Sequence, residues 1–151
     1  MDREGVTIYR GDYIHESAKI GRGTRIGAGH DIGKDVVIGE DCNIQCGVFI
    51  SNEWKIGNWV FIGPGVRFFN DKYPPSNRLQ AGVVGDHAVI GGGALIGPGV
   101  RIGLGAVIGM GAMIRKDVAP LQVVVEDGSR TLYERDVYDK KRKQYESDKV
   151  T

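Results

Sequence analysis

Hydrophobic positions along this chain return with a strict period of six. From Ile8 to Phe68 every sixth residue is aliphatic or aromatic, and the same period resumes from Val84 to Ile114. Glycine often comes next, and the fifth residue of each hexad is usually small or β-branched. A helix has no use for a period of six, and simple strand alternation would not demand glycine. The pattern predicts a parallel β-helix in which each hexad forms one short strand and a turn.

The repeat also predicts how the coils are built. In the left-handed form of this fold, three hexads close one triangular coil, aliphatic side chains stack inside the prism, and glycines serve the corners. Seventeen hexads then give about five to six coils of an all-β fold. We expect the prism, with a protruding loop at 70–83, to occupy residues 1–120, and a strand and short helix to form a C-terminal cap at 121–151.

Three residues depart from the small fifth position: Asp12, His30 and Trp54. Asp12 falls in the first coil, where irregularity is expected. Trp54 is interpreted as the mark of an outward bulge. His30 replaces a small residue at a tight position, and histidine is well suited to proton transfer near neutral pH, so both a structural and a functional role remain open for it.

The period breaks once, between Phe68 and Val84. These residues are 16 apart, two hexads plus four, so the register requires something to loop out. If Val84 takes the place that position 74 would have held, about ten residues protrude from the segment NDKYPPSNRLQAGV. Insertions into repeat proteins often serve a binding surface, although a tolerated surface insertion is the simpler alternative.

The C-terminal segment loses the repeat. Pro120 ends it, Val123 to Val125 predict a last strand, and Asp127-Gly128 predicts a turn. Residues 131 to about 146 are rich in helix formers, and Thr131 with Glu134 is typical of a capping box. We expect this helix to fold over the open end of the prism and protect its terminal strands.

Composition narrows the class of protein. Glycine makes up 24 of 151 residues, far above the usual share of about 7%, and the repeat accounts for this excess. Charge is balanced, with 20 basic and 19 acidic residues, which disfavours nucleic acid as a partner. Two cysteines give no disulfide framework, and we see neither a signal peptide nor an apolar run that would insert in a membrane. A cytoplasmic location is expected.

Several segments resemble one enzyme family. The hexads resemble the hexapeptide-repeat acyltransferases, and VFIGPGVRFFNDKYPPS at the break is similar to the VFxGPxxxFTNDxxPRS segment of the sugar-nucleotide amino-group N-acyltransferases. GTRI at 23–26, IGEDCNIQCGVFI at 38–50 and VIGMGAMIRKDV at 107–118 match the same family. The resemblance implies a homotrimer that transfers acetyl from acetyl-CoA to the 3-amino group of a nucleotide-linked sugar in surface-polysaccharide synthesis.

The resemblance also implies where the site lies. The amine is the nucleophile, so the chemistry needs no serine, cysteine or metal, only placement of the reactants, an oxyanion donor and a proton acceptor. Asn70 is the candidate for the acyl group and Asp71 for the amine or its proton, with His30 and His87 as candidate bases. Candidate acceptor contacts are Asp31, Tyr73 and Arg78, and candidate coenzyme contacts are Gly91, Gly93, Gly97, Gly109, Arg115 and Lys116.

The chain also departs from the family's pattern. The family reads RIWxFxHI where this chain has RIGAGHDI, so Asp31 stands in the histidine's column and His30 one place early. Pro75 replaces the arginine of PRS, and the chain is about one coil shorter between Ile44 and Phe68. A different sugar, a different pose or a shifted role for His30 follows from these differences.

Other functions share the predicted fold. Acetyl transfer to a hydroxyl group is the main alternative, but it leaves the Asn-Asp break unexplained. A γ-type carbonic anhydrase requires three zinc-binding histidines, two of them five residues apart, and here position 35 is Asp and position 92 is Gly. A non-catalytic scaffold is the last alternative, and failure to bind acetyl-CoA would identify it.

Overall fold

The chain folds into a β-solenoid, in which short strands follow one another around three faces. The computed structural model describes residues 4–9 and 11–148. The strands are Thr7–Ile8 (β1), Tyr13–Ile14 (β2), Lys19–Ile20 (β3), Arg25–Ile26 (β4), Asp31–Ile32 (β5), Val37–Ile38 (β6), Asn43–Ile44 (β7), Phe49–Ile50 (β8), Lys55–Ile56 (β9), Phe61–Ile62 (β10), Arg67–Phe68 (β11), Val83–Val84 (β12), Val89–Ile90 (β13), Leu95–Ile96 (β14), Arg101–Ile102 (β15), Val107–Ile108 (β16), Met113–Ile114 (β17), Gln122–Val125 (β18) and Arg130–Glu134 (β19). One helix, Arg135–Ser147 (α1), follows them.

Successive strands occupy the three faces in rotation. Face 1 contains β1, β4, β7, β10, β13, β16, β18 and β19; face 2 contains β2, β5, β8, β11, β14 and β17; face 3 contains β3, β6, β9, β12 and β15. Pairing is parallel between coils, so that Ile26 lies opposite Ile44, 18 residues on. The predicted parallel β-helix is confirmed, with about six coils.

The core is the stacked interior of this prism. In most strands the second residue points inward and is buried, while the first faces outward, as Arg101 and Ile102 do in β15. Each fully buried isoleucine contributes roughly 1.5–3 kcal/mol to folding, so the column of aliphatic residues supplies the driving force for coil stacking. Glycine is needed where coils approach closely: a Cβ on Gly91 would lie 2.5 Å from the backbone nitrogen of Met110.

The break in the repeat has the predicted size. Val84 in β12 lies opposite Ile56 in β9, a separation of 28 residues where 18 is the rule. The excess of ten residues forms a loop at the corner between faces 2 and 3. The register then continues without further change, since Val84 also lies opposite Ile102.

Trp54 does not bulge outward, so that prediction is wrong. Its side chain is fully buried inside the prism. The space comes from the next coil, where Gly82 occupies the same column and leaves room for the indole ring. A large residue at position 54 is therefore matched by a missing side chain at position 82.

The structure of the C-terminal segment agrees only in part with the prediction from the sequence. The strand predicted at 123–125 is present as β18, and a turn follows it at Asp127-Gly128. The predicted start of the helix at 131 and the predicted capping box are wrong. Thr131 instead belongs to β19, which pairs antiparallel with β18, and lies opposite Val124. The helix begins only at Arg135, and Glu134 is its N-cap, without a side-chain hydrogen bond. Pairing with a neighbouring strand has outweighed local helix propensity.

The hairpin, and not the helix, covers the last coil. A Cβ on Gly128 in the hairpin turn would lie 3.0 Å from Cδ1 of Ile114, the last residue of the aliphatic column. No residue of α1 is buried. Arg135 instead anchors the start of the helix to the corner between faces 3 and 1, where its guanidinium donates to the carbonyls of His87 at 2.8 Å and Gly105 at 2.9 Å.

Candidate active site

The inserted loop is closed at its base like a hairpin. The backbone N–H of Gln80 donates to the carbonyl of Asn70 at 2.7 Å, and Asp71 forms an isolated antiparallel bridge with Leu79. The loop therefore leaves face 2 after Phe69 and returns towards face 3 without disturbing the coils on either side. Asn70 and Asp71 lie at the point where it departs.

Asp71 is held by a residue that the sequence did not single out, Ser76. The Ser76 hydroxyl donates to one carboxylate oxygen of Asp71 at 2.6 Å, and the Ser76 backbone N–H donates to the other at 2.8 Å. These hydrogen bonds, that of the hydroxyl first, lower the pKa of Asp71 below its usual value. Asp71 is thus a fixed carboxylate: it suits an ammonium partner, and it is a weak proton acceptor at neutral pH.

Beside the loop lies a cleft of about 740 Å³, within the range of small-molecule sites. Its floor is apolar and consists of outward residues on and next to face 2: Phe49, Phe69, Leu95 and Met113. The loop forms one wall with residues 70–74 and Gln80, and residues 97–99 with Arg115 form the other. The cleft therefore combines an apolar floor with polar groups at its edges.

Five of the predicted site residues line this cleft: Asn70, Asp71, Tyr73, Gly97 and Arg115. The carboxamide of Asn70 makes no hydrogen bond within the described part of the chain, so its N–H and C=O groups are available to a ligand. Two cationic side chains, Lys72 and Arg115, line the cleft. Arg115 forms no ion pair with any described residue.

The other candidates on the loop and its surroundings lie outside the cleft lining. Arg78 is exposed on the returning half of the loop. Asp31 is exposed on face 2, next to Phe49 in register, and so extends the same row of outward residues. Lys116 lies near the hairpin, where its charge is one of the minor causes that lower the pKa of Asp127, after the hydrogen bonds from Ser129.

The backbone N–H groups of the four candidate glycines are already used within the prism. The amides of Gly91, Gly93, Gly97 and Gly109 donate to the carbonyls of Ile108, Pro64, Ile114 and Val124, at 2.7–2.9 Å. These donors are used to join the coils, so they are not free for an oxyanion. Among the four, only Gly97 lines the cleft, where the absence of a side chain leaves room for a ligand.

His30 lies inside the prism and does not line the cleft. It is 3% exposed, and its Nδ1 accepts the backbone N–H of Val48 at 3.0 Å. Burial lowers the pKa of His30, which favours the neutral ring. Its Nε2 has no hydrogen-bond partner among the described residues. Within one chain this geometry supports a structural role.

His87 lies at a different corner, between faces 3 and 1. Its ring is exposed and stacks on Trp59, with the ring centroids 4.8 Å apart. Both residues have a positive φ, +60° for His87 and +53° for Trp59, which is unusual for side chains of this size. The stack holds the imidazole by its face and leaves both ring nitrogens without a partner in the described chain. His87 does not line the cleft of its own chain.

The apolar floor was missed in the sequence, although a signal was present. Phe49, Leu95 and Met113 occupy the outward position of strands in one face, where other strands carry Tyr13, Asp31 and Arg67. The signal is that apolar outward residues occur on the strands that flank the break, whereas face 3 has Lys or Arg at three of its five outward positions. Gln80 and Ser76 had no comparable signal, because their roles depend on how the loop folds.

Comparison with known proteins identifies the fold. The family model "Bacterial transferase hexapeptide (six repeats)" matches residues 13–52. No curated protein sequence matches the chain significantly. A variant of GDP-perosamine N-acetyltransferase from Caulobacter crescentus, in complex with CoA and GDP-perosamine, has a TM-score of 0.75 at 23% identity, over 85% of this chain and 57% of that one.

Two further structures are similar. The acetyltransferase domain of PglB from Neisseria gonorrhoeae has a TM-score of 0.75 at 21% identity, over 84% of this chain and 57% of that one. A variant of AntD, an N-acyltransferase from Bacillus cereus, has a TM-score of 0.71 at 20% identity, over 95% of this chain and 89% of its own. At these identities the likeness shows the shared fold. The chain spans 57% of the length of the first two proteins.

No group of three or more His, Cys, Asp or Glu side chains is placed to hold a metal ion in residues 4–9 and 11–148. Over the same residues, no helix has the length and apolar character needed to cross a membrane.

Proposed function

We propose that this protein is an acyltransferase that moves an acetyl group from acetyl-CoA to the amino group of a nucleotide-linked amino sugar. The observation that carries the proposal is the cleft, where the free carboxamide of Asn70 and the fixed carboxylate of Asp71 meet an apolar floor. The similar proteins named above support it: one was crystallised with CoA and GDP-perosamine, another with dTDP-4-amino-4,6-dideoxyglucose and Coenzyme A.

The reaction assigns a role to each side of the cleft. The sugar nitrogen attacks the thioester carbon, the C–S bond breaks, and CoA leaves as the thiol while the amine loses one proton. The Asn70 N–H stabilises the oxyanion that forms on the acyl oxygen. Asp71 accepts hydrogen bonds from the amino group and orients it, since its low pKa suits it for that role better than for proton removal. Tyr73 borders the sugar.

The coenzyme occupies the other side. The apolar floor of Phe49, Leu95 and Met113 accommodates the pantetheine arm and the acetyl methyl group, and Gly97 leaves room for the arm. Arg115 binds a phosphate of CoA through charge-assisted hydrogen bonds. Because acetyl-CoA and nucleotide sugars are cytoplasmic metabolites, we place the enzyme in the cytoplasm.

The active unit is a homotrimer. Asp71 is the single carboxylate among the described residues that line the cleft, and no histidine lies there. A proton acceptor is therefore missing from the site of one chain, and cyclic symmetry gives three equivalent clefts, each open to a second copy. We infer that His87 of a second copy, exposed and with unpaired ring nitrogens, supplies that acceptor.

The test is acetyl transfer to a panel of nucleotide sugars, followed by mass spectrometry of the products. We expect acetylation of GDP- or dTDP-linked amino sugars and none of the matching hydroxy sugars. Asn70→Ala should lower kcat on the order of 10²-fold, as loss of one oxyanion donor does, with an unchanged melting temperature. Asn77→Ala is the matched control, because Asn77 is exposed on the same loop and does not line the cleft. Equal rates for these two variants, or acetylation of hydroxyl acceptors alone, would contradict the proposal.

A further inference from the structure

Trp54 is buried directly beneath the start of the inserted loop. Its indole N–H donates to the carbonyl of Phe69 at 3.0 Å, and its ring packs on that of Phe68, with the centroids 5.0 Å apart. The carbonyl of Phe68, one residue earlier, accepts the backbone N–H of Ser51 at 3.1 Å. Phe69 immediately precedes Asn70, so the hydrogen bond from Trp54 to its carbonyl fixes the backbone from which the Asn70 side chain projects.

The same indole ring also meets the end of the loop. A Cβ on Gly82 would lie 2.5 Å from Cη2 and 2.7 Å from Cζ3 of Trp54, and would overlap the carbonyl oxygen of Val100. The carbonyl of Gly82 in turn accepts the backbone N–H of Lys55 at 3.3 Å. Both ends of the insertion therefore rest on one side chain that is itself held within the core.

Packing of the prism core does not by itself require tryptophan at position 54. In other coils the same column is filled by Ala18, Val36 and Val100, all buried. Tryptophan adds to the column a polar N–H that reaches the loop, and a ring large enough to fill the space above Gly82. Its exceptional size and its hydrogen bond both serve the one coil that carries an insertion.

We propose that Trp54 is a positioning residue: it braces the inserted loop at both ends and thereby places Asn70 in the cleft. The effect on catalysis rests on the function proposed above, whereas the bracing of the loop does not. A displacement of Asn70 on the order of 1 Å is enough to weaken a reaction that depends on alignment of the reacting groups.

The loop itself offers a direct readout, because Lys72 and Arg78 are exposed and mark two sites for trypsin. In Trp54→Phe the N–H is lost, and we expect cleavage between residues 72 and 79 to accelerate roughly fivefold, as loss of one net hydrogen bond predicts. The kcat for acetyl transfer should fall about tenfold or more. Val118→Ala is the control: it removes buried packing opposite Ile102 in the last coil, two coils beyond β12. It should lower the melting temperature without changing loop cleavage or kcat.

A second variant separates the hydrogen bond from the packing. Replacing Trp54 by 3-benzothienylalanine keeps the shape of the ring and substitutes sulfur for the N–H, so it answers the question even if Trp54→Phe fails to fold. Faster loop cleavage in this protein supports the bracing role, and it does so even if the wild-type protein acetylates no amino sugar, which would refute the proposed function alone. Wild-type rates of cleavage and turnover in the benzothienylalanine protein would overturn the inference.

Discussion

At the scale of single residues, two polar side chains at fifth positions join successive coils. Thr24 Oγ1 accepts the backbone N–H of Cys42 at 3.1 Å, and His30 Nδ1 accepts that of Val48 at 3.0 Å. In each case the donor is the fifth-position residue one coil later, 18 residues on. His30 thus has the same structural role as Thr24: its side chain accepts a backbone N–H from the next coil. The sequence showed an unusual residue at a tight position but not this bond, which is why a catalytic role was equally open.

This role predicts a pH dependence of stability. Nδ1 accepts the Val48 N–H only when it is unprotonated, and burial lowers the pKa of His30 in the folded protein. The unfolded chain, with a histidine pKa of about 6.5, then binds the proton more readily than the folded one. The contribution of His30 to stability is therefore complete above about pH 6.5 and declines as the pH falls from there towards the folded-state pKa.

His30→Asn checks this prediction by urea unfolding at pH 8 and pH 5. The carboxamide oxygen of asparagine takes the place of Nδ1 as an acceptor and does not titrate in this range. We expect the wild-type protein to lose more stability between the two pH values than the variant does, since all other titrating groups are common to both. Equal losses in the two proteins would show that His30 is not held neutral by the fold.

At the scale of elements, the sequence predicted the features that follow from the six-residue period. The period of six gave the strands, their inward residues and the size of the insertion, because each coil fixes its register against the next. It did not give the β18–β19 hairpin, since residues 130–134 become a strand only by pairing with β18. Sequence motifs identified Asn70, Asp71 and Arg115 as candidates. The roles of the Ser76 hydroxyl and of the buried Trp54 depend on contacts that exist only in the folded loop, so the sequence did not predict them.

The two residues of one strand should therefore differ strongly in how much the same substitution lowers the free energy of unfolding. Ile102→Asp places an unpaired carboxylate in the aliphatic column, where Ile102 is 2% exposed, and should cost more than about 4 kcal/mol and unfold the prism. Arg101→Asp, one residue earlier and exposed, should change stability by less than about 1 kcal/mol. Circular dichroism during urea unfolding measures both. Cooperative folding of Ile102→Asp would mean that the register is misassigned.

At the scale of the whole molecule, the candidate groups divide between two places. The cleft beside the loop carries Asn70, Asp71 and Arg115, while the exposed His87 lies on the corner between faces 3 and 1. A single prism cannot bring these places together, because they belong to different edges of a rigid solenoid. Assembly of identical copies can, since a cyclic arrangement sets a different edge of each copy against the next.

The last prediction is that the site is shared between copies. Light scattering should give a mass of about 49 kDa, three times the 16.4 kDa of one chain. Asn70→Ala and His87→Ala should each be nearly inactive alone, because each removes one half of every site. When the two variants are unfolded and refolded together, about one quarter of the sites in randomly mixed cyclic trimers should combine an intact Asn70 with an intact His87 from the neighbouring copy. Activity should return to that level, whereas mixing the folded proteins without exchange should restore none. An active monomer, or full activity of His87→Ala alone, would contradict the shared site and require the proton acceptor to lie within one chain.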